Sequence, residues 1–97
     1  MQPVKKLEIV VDALDLDTVV AALEAAGLTS YTVIRDVVGR GDSGVRYGDE
    51  LSDIFKNSYL MTTCSPESLP AILESIRPIL ERCGGVCLVS DASWLIH

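Results

Sequence analysis

Histidine is all but missing from this chain, since His97 is the single one and stands at the very end. Neither a catalytic histidine nor a metal centre built on one is expected, and with no Ser/His or Cys/His pair to make an activated nucleophile, neither is an enzyme. Basic residues are also scarce, 8 Lys and Arg against 14 Asp and Glu for a net charge of -6. That lacks the basic footprint of a nucleic-acid binder, so no nucleic-acid partner is expected. No apolar run approaches the roughly 18 residues of a membrane span, and no membrane insertion is expected. The opening "MQPVKKLEIVVDALDLD" places acids where the apolar part of a secretion signal would continue. A cytoplasmic location is the expectation. Cys64, Cys83 and Cys87 are odd in number and fit no zinc spacing, so no disulfide framework uses all of them. They read as small buried hydrophobes in a reducing compartment, with a response of Cys83 and Cys87 to oxidation as the other reading.

What remains is an aliphatic chain, 48% hydrophobic over 97 residues, enough for one domain spanning residues 1–97. Val4 to Val11 ends in a β-prone apolar run and reads as a strand buried on both faces at its end. Asp15 then caps a helix whose Leu16, Val19, Val20, Leu23 and Ala26 follow the 3.6 period, with Gly27 as its stop. Ser30 to Val38 alternates as a second strand. Phe55 to Thr63 forms a third, with Phe55, Asn57, Tyr59 and Met61 on one face. Ser65 caps and Pro66 opens a second helix carrying Leu69, Ile72, Leu73, Ile76, Ile79 and Leu80, in which Pro78 should bend or weaken the last turn. Gly84-Gly85 ends it, and Val86 to Ser90 reads as a fourth strand. The order βαββαβ implies an α+β, ferredoxin-like fold: a four-stranded antiparallel sheet with two helices on one face. Its other face is apolar and has no third helix to cover it, so it is expected to pack on copies of itself, with Trp94 at the contact.

Between the second and third strands lies a long loop of about residues 39–56, "GRGDSGVRYGDELSDIFK" in full. Connections this long are usually functional or disordered. Gly39, Gly41 and Gly44 allow close backbone approach and anion-binding nests, and Arg40 and Arg46 add bidentate recognition of phosphate or carboxylate. The stretch is neither a P-loop nor GxGxxG, and a solvated hairpin loop accounts for it equally well. Asp42, Asp49, Glu50 and Asp53 read as a solvated acidic edge or as chelators of a cation with a bound nucleotide; Tyr47 stacks on a base or a partner, or is simply exposed. Gly84-Gly85 is a helix terminator or, with the loop, one wall of a cleft between subunits.

Gly27 to Gly44, "GLTSYTVIRDVVGRGDSG", resembles the segment of PII signal-transduction proteins that runs from the first helix through the second strand into their regulatory T-loop. The closing "CGGVCLVSDASWL" is similar to their B-loop and fourth strand. The chain has no Lys or Arg after Gly85, unlike the members that hold a triphosphate there. With its short loop, Gly44 to Arg46 and Asn57, it more closely resembles the PII-like branch associated with bicarbonate transporters and carboxysomes. The cysteine-containing terminal redox loop of some of that branch has no counterpart here.

The resemblance implies a homotrimer that binds adenine nucleotides, of the AMP, ADP, cyclic AMP or ATP type, at inter-subunit clefts through Gly39, Arg40, Gly41, Arg46, Asn57, Gly84 and Gly85. No obligatory cofactor and no metal belong to that picture. A flexible loop including Asp42, Ser43, Gly44 and Tyr47 would switch with the nucleotide and control a bicarbonate transporter or other carbon-uptake protein, with bicarbonate as a second anion. The alternative is a CutA-like trimer that binds metal or merely assembles, stabilised by copper or zinc without nucleotide. Weak nucleotide hydrolysis, releasing phosphate or AMP from ATP, is the enzymatic one.

Overall fold

The computed structural model describes residues 1–38 and 56–96, so all of the expected loop except Lys56 lies outside the described residues. Strand β1 covers Gln2–Asp12. Its Leu7, Ile9 and Val11 alternate inward and are at most 2% exposed, while Val10 on the opposite face is only half-buried. One face is therefore sealed, not both. Asp12 ends the strand by accepting a hydrogen bond from the Leu14 N–H at 2.9 Å, which opens a single tight turn over Ala13–Asp15. Helix α1, Leu16–Ala25, follows and buries Leu16, Val19 and Leu23. The cap expected of Asp15 belongs to Asp12, because the tight turn begins the helical path one turn earlier; Asp15 makes no capping bond. Gly27, at φ +99°, turns the chain out, and the Leu28 N–H closes on the Leu23 carbonyl at 2.9 Å.

Strand β2 is Thr32–Val37, shorter at both ends than its sequence pattern, and strand β3 is Asn57–Cys64. In β3 the side chains of Ser58, Leu60, Thr62 and Cys64 are buried on the helix side, leaving Asn57, Tyr59 and Met61 on the other face as expected; Phe55 is not among the described residues. The Ser65 hydroxyl accepts from the Ser68 N–H at 3.3 Å with Pro66 at the first position of the turn, and α2 then runs Leu69–Cys83. Ile72, Ile76 and Leu80 are its buried stripe, and the helix continues through Pro78 to Cys83. Pro78 forfeits one backbone bond but leaves the stripe in phase. Strand β4, Val86–Trp94, reaches well past the expected Ser90.

All pairings are antiparallel and the strand order is β2-β3-β1-β4. Two helices over one face of this sheet make the ferredoxin-like βαββαβ fold. The core forms where Leu7, Ile9 and Leu60 meet Leu16, Val19 and Leu23 of α1 and Ile72, Ile76 and Leu80 of α2. Fully burying each such side chain contributes about 1.5–3 kcal/mol. The opposite face carries rows of residues in register: Val86, Val10, Tyr59 and Ile34 in one, and Leu88, Glu8, Met61 and Thr32 in the next. Ile34, Val86 and Leu88 on this face are 51%, 60% and 63% exposed.

Candidate functional site

The paired feet of the loop fix where it stands on the fold. Val37, the last residue of β2, pairs with Asn57, the first of β3, and Asn57 pairs on its other side with Asp12 of β1. Lys56, exposed, is held by its carbonyl, which accepts from the Ala13 N–H at 3.0 Å. At this same end of the sheet β4 begins, with Val86 opposite Val10. The Gly84-Gly85 segment and the loop's feet therefore share one end of the sheet, the glycines about 14 Å from the β2 foot at three strand spacings and about 9.5 Å from the β3 foot at two. Of the expected site residues, Asn57, Gly84 and Gly85 are thus brought to one rim; Gly39, Arg40, Gly41, Asp42, Ser43, Gly44, Arg46 and Tyr47 lie outside the described residues.

Each glycine of the pair has its own structural reason. Gly84 takes φ +77° as the left-handed end of α2, where its N–H reaches the Leu80 carbonyl at 2.8 Å. Gly85 needs space instead: a Cβ there would lie 2.6 Å from Val11 Cγ1, 2.9 Å from Leu80 Cδ2 and 3.1 Å from the Val10 carbonyl oxygen. Packing this close pins the helix-to-strand connection onto β1. A backbone held down in this way presents its peptide groups with little reorganisation to whatever approaches the rim.

Several features of the region escape a reading of the sequence. The register of β2 against β3 shifts between Ile34 and Val37, and Asp36 has φ +59°. An aspartate inside the β-branched run "TVIRDVV" is the signal that betrays it, since Asp is depleted in strands and tolerates the left-handed region. Tyr59 donates its hydroxyl hydrogen to Glu8 Oε2 at 2.6 Å, and that bond, with burial and the Glu8 charge behind it, raises the phenol above its ordinary value. Lys6 Nζ stands 3.8 Å from the other carboxylate oxygen of Glu8. The Ser58 hydroxyl, next in chain to Asn57, is buried and has no hydrogen-bond partner among the described residues. Thr62, also buried, donates its hydroxyl to the Ser30 carbonyl at 2.7 Å.

Burial pushes the Cys64 and Cys87 thiols up, which keeps them from the thiolate form that reacts or binds metal. Among the described residues no group of three or more His, Cys, Asp or Glu side chains is placed to hold a metal ion. No helix of the described residues is long and apolar enough to cross a membrane. A groove of about 360 Å³ between α2 and β4, with Leu73, Ile76 and Cys87 in its lining, is apolar at its base and offers Arg77 and Glu81 as its charged groups. It lies on the helix side of the sheet, and Gly85 of the rim is also in its lining.

Comparison with known proteins bears on this geometry. Among solved structures the chain is similar to CPII, a nitrogen regulatory PII-like protein from Thiomonas intermedia K12, bound to ADP, AMP and bicarbonate, at 24% identity and a TM-score of 0.81, over 98% of this chain and 96% of that one. To CPII bound to ADP and bicarbonate the identity is 27% and the TM-score 0.78, over 95% and 88% of the two chains. A PII-like signaling protein from Thermus thermophilus matches at 23% identity and a TM-score of 0.73, over 94% and 88%. A search of curated proteins finds no match. The sequence profile of the nitrogen regulatory protein P-II family matches residues 4–95, from the third residue of β1 to the residue after β4, so that both helices, nearly all of β1, the other three strands and the loop fall within it: the chain belongs to the nitrogen regulatory protein P-II family.

Proposed function

We propose that the chain is a non-enzymatic signal-transduction protein that binds an adenine nucleotide between the subunits of a homotrimer and relays its presence through residues 39–56. The observation that carries this reading is the likeness, along nearly the whole chain, to a protein bound to ADP, AMP and bicarbonate. The shared rim supports it, since Asn57, Gly84 and Gly85 stand at the end of the sheet where the loop is rooted. In this reading Arg40 and Arg46 pair with phosphate, the backbones of Gly39, Gly41, Gly84 and Gly85 donate N–H groups to it, and Asn57 fixes the ligand at the loop's foot. The exposed apolar side chains Ile34, Val86 and Leu88 are covered by neighbouring copies, which brings one subunit's loop foot against another's glycine pair.

Nucleotide binding orders the loop, and the ordered loop exposes or hides a partner-binding surface. Bicarbonate is a second anion for the same arginines, and inorganic-carbon uptake or carboxysome function is the setting, with a bicarbonate transporter as the partner. The protein acts in the cytoplasm. The test is thermal unfolding with AMP, ADP, ATP, cyclic AMP and GMP, with and without bicarbonate. A ligand at about 100 times its dissociation constant adds roughly 2.7 kcal/mol. Stabilisation by adenine nucleotides that vanishes in Arg46→Ala is the expected result; no shift with any nucleotide overturns the proposal.

A further inference from the structure

The strand that leads into the loop does so through an irregularity with an electrostatic consequence. Ile34 pairs with Tyr59, so unbroken antiparallel pairing would set Asp36 opposite Asn57, but the register shifts and Val37 takes that position. The extra residue is absorbed where Asp36 adopts φ +59°. Such bulges insert one residue into a strand and re-aim the side chains beyond it. On the far side of Asn57 stands Asp12. Without the bulge the row across three strands would read Asp12, Asn57, Asp36, with a carboxylate on either side of the amide. With it the row reads Asp12, Asn57, Val37. The Asp12 carboxylate is engaged at the Leu14 N–H, and exposed Lys56 immediately precedes Asn57.

We infer that the Asp36 bulge is a specificity device of the ligand site: it keeps a carboxylate out of the position facing Asn57, so that the Asn57 amide and Lys56 meet an anionic, phosphate-bearing ligand. Val37 and Asp36 act here as positioning residues, through the row they complete. The inference rests on the nucleotide-binding reading above. Cross-strand neighbours lie about 4.5–5.5 Å apart, within range for a like charge to repel a bound phosphate. An amide and an apolar side chain add no second negative charge to the one Asp12 carries on the far side, and Lys56, next to Asn57 in the chain, supplies a positive one.

The test uses Val37→Asp and Val37→Asn, which are close to isosteric and differ in charge, in calorimetric titrations of the full chain with adenosine, AMP and ADP. Val37→Asn keeps AMP affinity to within about threefold, while Val37→Asp loses about tenfold or more, because juxtaposed like charges are strongly disfavoured. The Val37→Asp penalty grows from adenosine to AMP to ADP, which a merely structural defect would not produce. Asp36→Gly, for which a positive φ is free, retains the wild-type affinity. Circular dichroism checks that each variant folds; if Val37→Asp does not, Asn57→Asp places the carboxylate in the same row and carries the same expectation. Equal AMP affinity in Val37→Asp and Val37→Asn, or equal losses for adenosine and AMP, overturns this inference while leaving nucleotide binding intact. A wild-type chain that binds no nucleotide overturns both.

Discussion

Strands β2 and β4 form the two edges of the sheet, yet β2 holds six residues and loses register once, whereas β4 holds nine and stays in step with β1 from Val86 to Trp94. The outward surface of β2 is broken by Arg35 and Asp36, both exposed, and by a left-handed residue. On the open face of β4 Val86 and Leu88 are exposed, and the strand's one charge, Asp91, falls on the helix-side face, where it is tied to Lys5 at 2.5 Å. Sheet edges are normally protected by bulges, charge or shortness, and β2 has all three. β4 is long and regular, with exposed aliphatic side chains and a single charge paired to Lys5, an edge left open to a covering surface. The two edges thus differ in kind: β2 is short and irregular where it leads into the loop, β4 long, regular and apolar on its open face.

The largest effect should come from breaking the root of β4. Gly85→Val drives its side chain into Val11, Leu80 and the Val10 carbonyl, and is expected to cost about 3 kcal/mol in urea denaturation, in the upper range for overpacking. Leu88→Lys strikes the apolar edge without touching the core. Losing the burial of one leucine per subunit, about 2 kcal/mol, should shift the particle toward monomer in light scattering while leaving the helical circular dichroism unchanged. An unaltered mass would refute the claim that this surface is covered by copies. On the β2 side, Asp36→Val asks a β-branched residue to hold φ +59°, and about 1–2 kcal/mol of thermal or chemical stability should be lost, with Asp36→Gly close to wild type.

The smallest effect is expected at Tyr59, which stands beside Ile34 of β2. Tyr59→Phe removes the bond to Glu8 and should cost about 1 kcal/mol at neutral pH. The phenol's folded-state value is raised above 10.0. Its contribution is therefore intact below about pH 10, its unfolded value, and lost as pH rises through the folded one. The stability gap between wild type and Tyr59→Phe should be flat at neutral pH and close in the alkaline range; a gap that widens there would contradict the assignment of Tyr59 as donor.

The sequence is explicit wherever one residue decides the matter locally. Ser65-Pro66 opens the second helical segment, Gly27 and Gly84 stop the helices through their backbone torsions, and the period-2 pattern of β3 places Asn57, Tyr59 and Met61 on one face. It is silent where pairing decides. "SDAS", Ser90 to Ser93, has weak strand preference, yet it is strand because β1 continues opposite it as far as Gln2. Asp12 rather than Asp15 caps the first turn because the strand hands over directly to a tight turn, which periodicity does not register. The same holds at the candidate site. The juxtaposition of Asn57 with Asp12 and Val37 depends on two strand registers and one bulge, so no spacing along the chain encodes it, even though Asn57, Gly84 and Gly85 are each visible as residues of interest.

The double glycine carries a lesson for how such chains drift. Position 84 is constrained by torsion and position 85 by volume. Asparagine, which accepts the left-handed region, is an admissible replacement at 84, whereas at 85 even alanine meets Val11 and Leu80. A search for distant relatives that demands Gly-Gly at this turn would discard sound members with Asn-Gly, and one that accepts Gly-Asn would admit chains unable to close the turn against the first strand.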